Sequence, residues 1–276
     1  MSFYIIPSPV GNLDDFTIRA VNTIEELDFL AVESKLSTKK LLKKYNLKIK
    51  SFVIYNDHSS EKDRIKIMNL LEEGKKGGII SEAGTPLVSD PGYKLISTLI
   101  KKNIKIIPLP GPTSVIPALV GSGLPTDRFC FFGFLPKKNN EIKKILAKCS
   151  ADIGTSIFFE SPHRIVSTLK IINNLFGNEA RICIAKEISK IHEKFLRGTA
   201  CEILLDFNKD KNLLKGEFIL MVNLLSSDED TSIADKLFEN LSGKISNKEL
   251  AKLSSEITGI NKNFLYERFL SFSKKT

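Results

Sequence analysis

Along the first 120 residues, short apolar runs rich in Ile, Val and Phe alternate with longer amphipathic ones, and no other feature constrains the fold as tightly. The order is "FYIIP", "DDFTIRAVNTIEELD", "FLAVES", "SFVIYN", a helical stretch from Arg64 to Glu73, "GGIIS", another from Gly92 to Lys101, and "IKIIPLP". Short apolar runs without polar alternation suit strands buried on both faces, and the amphipathic runs between them suit crossover helices. The pattern predicts an α/β domain on a largely parallel sheet.

After "GSGLPTDR" the pattern restarts with "FCFFGF", a basic helix from Asn140 to Lys148, "TSIFFE" and a helix after Pro162. "ARICIAKE", "FLRGTACEILLDF" and "GEFILMVNLL" then read as adjacent strands with few helices between them, which predicts a second domain on a mixed sheet. The polar "SSDEDTS" (Ser226 to Ser232) reads as a linker to a helical tail. There Ser246 and Glu249 form a capping box before Leu250, Leu253 and Ile257, Gly259 stops that helix, and Asn261 can cap the next, which carries Leu265 and Phe269. This tail is either a helix-turn-helix or a helical hairpin that only packs. The expected organisation is therefore an N-terminal α/β domain over 1–120, a C-terminal α/β domain over 121–226 and a helical tail over 227–276, without internal repeats.

A hydrophobic share of 42% with 26% charged residues excludes global disorder. No run approaches the roughly 20 apolar residues of a membrane span. The opening "MSFYIIPSPVG" lacks a basic segment followed by an apolar one, so a cytoplasmic protein with no membrane partner is expected. Cys130, Cys149, Cys183 and Cys201 form no C-x-x-C pair, which argues against zinc or redox chemistry and for buried free thiols. The net charge of +9 is concentrated in Lys35 to Lys50 and Pro136 to Lys148, which suits either a polyanionic partner or a solvated lysine-rich surface.

Ligands of open α/β sheets sit at the carboxyl ends of the strands, and three glycine and proline clusters fall at such ends: "PSPVGNLDD", "SEAGTPLVSDPG" and "PLPGPTSV". None matches a phosphate-cradling loop or a dinucleotide fingerprint. Gly11, Gly84 and Gly111 allow close backbone approach while Pro86 and Pro112 stiffen the loops, so the clusters suit a ligand held by main-chain groups.

The motifs "SPVGNLDDFTIRA", "SEAGTPLVSDPGY", "PLPGPTSVIPAL", "SGLPTDRFCFFGFLP", "FFESPHR", "KIHEKFLRGT" and "LKGEFILMV" occur in order over most of the chain. Together they resemble the ribosomal RNA small-subunit methyltransferase I family of the tetrapyrrole methylase superfamily, and the tail "EITGINKNFLYERFL" is similar to that family's helical segment. The resemblance implies two α/β domains with S-adenosylmethionine between them, methylation of a cytidine ribose 2′-hydroxyl in 16S ribosomal RNA or the small ribosomal subunit, and a homodimer. It implies that Gly84, Thr85, Pro86, Val88, Thr113, Ser114 and Phe159 line the cofactor and that Pro9 and Gly11 close the site. The chain departs from the family at "ESKLST", where Glu-Asp-Thr-Arg-His-Thr is usual, and at Glu82, where aspartate is usual; an arginine and a histidine are thus missing from a loop facing the cleft.

A sulfonium is an activated methyl donor, so the expected protein chemistry is alignment and proton removal without a metal. Glu33, Glu160 and Lys186 are the leading catalytic candidates, with His163 and His192 also eligible as base. Arg164 and Arg197, with His163 and His192, are expected to meet RNA, because a guanidinium can grip phosphate oxygens bidentately. Two other functions fit the same residues: a methylase acting on a small tetrapyrrole-like molecule, which the lysine tracts and the tail oppose, and an RNA-binding protein that has lost turnover through "ESKLST".

Overall fold

Each apolar run of the first half becomes a strand. In the computed structural model, which describes residues 1–149, 154–224, 231–259 and 262–273, these are β1 (Ser2–Ile6), β2 (Phe29–Val32), β3 (Ser51–Ile54), β4 (Gly77–Ile80) and β5 (Lys105–Pro108). They form one sheet in the order β3-β2-β4-β1-β5, and every pairing is parallel. Successive side chains feed opposite faces. Phe29 and Ala31 pack with Ile67 and Leu71 of α3 (Glu61–Glu72) and Leu95 and Leu99 of α4 (Tyr93–Lys101). Leu30 and Val32 pack with Ala20 and Ile24 of α1 (Ile18–Glu25) and Leu42 of α2 (Lys35–Lys44). Two cores, one per face, explain why these strands show no polar alternation.

The second sheet has the order β6-β7-β10-β8-β9, formed by β6 (Phe129–Phe134), β7 (Thr155–Glu160), β8 (Ala180–Lys186), β9 (Lys194–Gly198) and β10 (Phe218–Leu224). The β6–β7 pair is parallel while β7–β10 and β8–β9 are antiparallel, so the sheet is mixed. Helices α6 (Asn139–Leu146), α7 (Ile165–Phe176) and α8 (Ala200–Lys209) complete this lobe. One strand expectation is corrected here. "FLRGTACEILLDF" is not a single strand: β9 ends at Gly198, and Thr199 with Glu202 forms a capping box that starts α8. Ala200, Ile203 and Phe207, at helical spacing, are its buried face. Helix α5 (Val115–Ser122) runs across residue 120, and its Val115, Ala118 and Leu119 pack with Ile157, Cys183 and Met221 of the second sheet.

The chain forms two compact units, Met1–Asn223 with both sheets and Leu224–Thr276. In the second unit α9 (Ser232–Leu241), α10 (Asn247–Thr258) and α11 (Lys262–Ser273) share a core of Ala234, Phe238, Leu250, Ala251, Leu265 and Phe269. The Arg268 guanidinium forks onto Asp235 with two bonds of 2.8 Å, and Ser246 and Glu249 form the expected capping box. Asn261 and residues 226–230 of the expected linker lie outside the described residues. Cys149 and Cys183 are buried thiols, whereas Cys201 is exposed on α8. Among the described residues no helix is long and apolar enough to cross a membrane.

Candidate functional site

Because β4, β1 and β5 are neighbours, the three glycine and proline loops that follow them meet at one edge of the first sheet. Ser8 N–H donates to the Gly84 carbonyl at 2.8 Å and Gly84 N–H returns to the Ser8 carbonyl at 2.9 Å. The Ser81 hydroxyl donates to the same Gly84 carbonyl, and the Thr85 hydroxyl donates to that of Pro112, both at 2.8 Å. A Cβ on Gly111 would lie 2.9 Å from the Pro7 ring. At Gly84 a Cβ would meet nothing nearer than 3.7 Å, so its φ of +79°, not crowding, demands glycine there. Leu87 and Ser89 also hold positive φ, 73° and 63°, without being glycine. Such residues cost about 1–3 kcal/mol each and persist only where the surroundings enforce them, most often beside ligands.

This shelf walls a cavity of about 390 Å³, within the roughly 300–1,000 Å³ of small-molecule sites. The first lobe contributes Val10, Ala83, Ser89, Asp90 and Ser114, and the second contributes Phe134, Phe159, Ala185, Ile188 and the segment Gly216 to Ile219. Phe134 and Phe159 meet edge to face with centroids 5.1 Å apart. The Gly216 wall is braced: Glu187 accepts from the Glu217 N–H at 2.9 Å, and the Lys190 ammonium reaches Glu187 at 3.0 Å and Glu217 at 2.9 Å. Burial pushes the Glu187 carboxyl up, but the Glu217 N–H and Lys190 outweigh it and hold the group below its ordinary range. Glu160 is only 3% exposed and fully engaged, accepting from the Ser161 N–H at 2.7 Å and the Thr168 hydroxyl at 2.8 Å and pairing with Arg164 at 2.6 Å. Arg164 also donates to the Leu135 and Pro136 carbonyls at 3.1 and 2.9 Å and to the Ser161 hydroxyl at 3.3 Å.

Glu33, Glu82 and Asp90 of the first lobe have no cationic partner within ion-pair distance among the described residues. Burial, followed by the fields of Glu33, Asp57 and Glu82, pushes the Asp90 carboxyl from its ordinary 3.8 up to about 7, against a hydrogen bond from Ser81. Burial also raises Glu33, with Glu82 and Asp57 adding to the effect and a hydrogen bond from the Glu82 backbone opposing it. "ESKLST" forms the first turn of α2: Ser34 accepts from the Ser37 N–H at 3.3 Å, and the buried Thr38 donates to the Ser34 carbonyl at 2.9 Å. The Ser37 hydroxyl donates to the Glu82 carboxylate at 2.7 Å, so the two places where this chain departs from the family pattern are in direct contact. Among the described residues no three His, Cys, Asp or Glu side chains are placed to hold a metal ion.

Residues 2–204 match the family described as Tetrapyrrole (Corrin/Porphyrin) Methylases. The chain belongs to this family. It is 36% identical over 96% of its length to the ribosomal RNA small subunit methyltransferase I of Escherichia coli O157:H7, covering 93% of that protein. To the protein of the same name from Hydrogenobaculum sp. (strain Y04AAS1) it is 41% identical over 81% of its length and 96% of the relative's. The solved uroporphyrin-III C-methyl transferase of Thermus thermophilus, complexed with S-adenyl homocysteine, shares the fold with a TM-score of 0.54 at 15% identity, over 81% of this chain and 97% of that one.

In this tetrapyrrole methylase the residues expected to bind the cofactor fall into layers. Ser114 and Phe159 line the cavity, as does Glu160. Pro9, Gly84 and Pro86 are buried within the loops behind it, with Thr85 half-buried and Val88 more exposed. Thr113 lines an adjoining cavity of about 520 Å³ that shares Val10 and Ile188 with the first. Gly11 abuts Lys190 in a separate, open recess with Lys44 and His192. Lys186 lies in yet another pocket with His192, and His163 is exposed. Arg197 donates to the Ser122 carbonyl at 2.9 Å and to that of Gly121, capping α5. Sequence reasoning passed over Asp90, Ala83, Ser89 and Gly216 to Ile219. "SDPG" and "KGEF" were the available signals, but nothing local marks Asp90 as unpaired.

Proposed function

We propose that this protein is a cytoplasmic, homodimeric enzyme that transfers the methyl group of S-adenosylmethionine to a cytidine ribose 2′-hydroxyl of 16S ribosomal RNA, as free RNA or within the small subunit. The observation that carries this reading is coverage. Likeness to the Escherichia coli RNA methyltransferase extends over 96% of the chain and so reaches into the helical tail, whereas the family match ends at residue 204 and the Thermus thermophilus enzyme covers 81%. A small macrocycle explains neither that tail nor the net charge of +9.

The cavity suits the cofactor. Phe134, Phe159, Ala185 and Ile188 offer apolar walls for a nucleoside, and Ala83 and Ser89 offer main-chain groups. S-adenosylmethionine, when bound there, supplies a methyl group already activated for transfer. The protein then has to orient a ribose hydroxyl and take its proton. A base titrating near the working pH does this best, and Asp90, pushed up to about 7, meets that requirement. Burial, followed by the fields of Glu33, Asp57 and Glu82, keeps its proton affinity high. Glu160 and Arg164, engaged with each other and with the β6 exit, serve as scaffold for the Phe134 and Phe159 wall.

Mass-spectrometric mapping of ribose methylation in small-subunit RNA from cells with and without this gene tests the reading. Loss of one ribose methyl group on deletion is the expected result, and an unchanged map overturns it. Labelled methyl transfer to porphyrinoid precursors, with none to RNA, would select the small-molecule function instead.

A further inference from the structure

Lys186 ends β8 on the face opposite Ala185, which lines the cavity. Its side chain enters a different pocket of about 520 Å³ with His192, Glu193, Lys194, Asn212, Leu213 and Lys215. Lys186 is only 7% exposed, and among the described residues its ammonium makes no ion pair or hydrogen bond. Directly across the ladder stands another lysine, Lys194. Like charges in that position repel, and an anion bound beside them would relieve the repulsion.

The field of Glu187 reaches Lys186, but the carboxylates nearby are held by other donors. Glu187 gives its carboxylate to Lys190 and the Glu217 N–H, and the Glu193 carboxylate accepts from the Ser189 N–H at 2.7 Å. Among the described residues the Lys215 ammonium donates to the neutral Asn212 amide oxygen at 3.1 Å and makes no ion pair. Three lysines, a histidine and an asparagine thus line a pocket whose lining carboxylate, Glu193, already accepts a hydrogen bond.

We propose that this pocket binds a backbone phosphate of the RNA substrate. The assignment rests on the function proposed above, and position favours a polynucleotide over a free anion. Two chain segments serve both sites: Ala185 and Glu217 line the methyl-transfer cavity, while Lys186 and Lys215, one and two residues away, line the anion pocket. A phosphate held there belongs to a strand whose ribose lies at the cavity, and the exposed Lys194, Lys215 and His192 leave the pocket open to such a strand.

The test compares wild type, Lys186→Met and Lys186→Arg in binding a single-stranded fragment of small-subunit RNA across a salt series, with S-adenosylmethionine affinity measured in parallel. Methionine removes the charge without opening a hole, so the fold is retained. Lys186→Met should weaken RNA binding roughly tenfold or more and reduce the slope of log affinity against log salt by about 0.7. Lys186→Arg should keep the slope, and cofactor affinity should not move in either variant. In wild type, inorganic phosphate should protect Lys194 and Lys215 from amine acylation. Unchanged RNA affinity and slope in Lys186→Met overturns the proposal, even if phosphate still protects, because the ligand is then a free anion. Lost turnover with intact RNA affinity also overturns it and returns Lys186 to the chemistry. If wild type neither binds nor methylates the RNA while phosphate protects, the functional reading fails and the pocket remains an anion site of another enzyme.

Discussion

In the first lobe Glu33, Asp57, Glu82 and Asp90 lie within one another's fields and make no ion pair among the described residues, whereas in the second Glu160 is matched by Arg164, and Glu187 and Glu217 share Lys190. Both sets border the same cavity, with Asp90 on one side and Glu160 and Glu217 on the other. The difference separates two uses of a carboxylate near a cavity wall. A paired acid is held by its partner and fixes geometry; Asp90, raised by burial and by neighbouring carboxylates to about 7, is available for proton transfer.

The sharpest way to break this comparison is Asp90→Asn. If Asp90 is the base, turnover with RNA should fall about 10²- to 10⁴-fold while cofactor binding survives. The wild-type rate should rise with pH through about 7, the value to which Asp90 is pushed, and that limb should vanish in the variant. Stability should move oppositely. The folded state keeps a proton that the unfolded chain, with an ordinary carboxyl of 3.8, releases, so between about 4 and 7 the folded form binds more protons and stability declines as pH rises. Asp90→Asn should flatten that decline, as denaturant titrations at several pH values would reveal.

Arg164→Ala probes the paired side. It strands Glu160 in the interior, and removing one partner of a buried pair typically costs about 3–5 kcal/mol. A large drop in melting temperature is therefore expected, and full stability with selectively weakened RNA binding would instead return Arg164 to the substrate interface. The smallest effect belongs to the shelf between them. Gly84→Ala introduces no clash, since a Cβ meets nothing within 3.7 Å, but forces alanine into a left-handed conformation at a cost of about 1–2 kcal/mol. A correspondingly modest loss of stability and cofactor affinity checks it by calorimetry.

Much of this architecture was legible because it is local. Apolar runs bounded by turn residues announced both sheets, and the capping box at Ser246 announced α10. The one misread segment, "FLRGTACEILLDF", carried its own correction in Thr199 and Glu202, and the apolar density around them hid it. The site was legible only as loops. Gly84 and Ser114 stood out by residue type, but Asp90 differs from Glu187 only in what surrounds it, and a list of residues carries no dielectric and no partner. The same holds for Arg164 and Arg197, which looked like phosphate ligands: Arg164 is engaged with Glu160 and two carbonyls inside the fold, and Arg197 with two carbonyls.

What the sequence by itself determined is the set of elements and the chemistry of the three loops, because periodicity, glycine and proline act within a few residues. What only the tertiary structure decided is which loops meet, which acids go unpaired and that Ser37 reaches Glu82. Those depend on the β4-β1-β5 neighbourhood and on distances between residues tens of positions apart, where electrostatic energy varies with burial and separation and not with order along the chain.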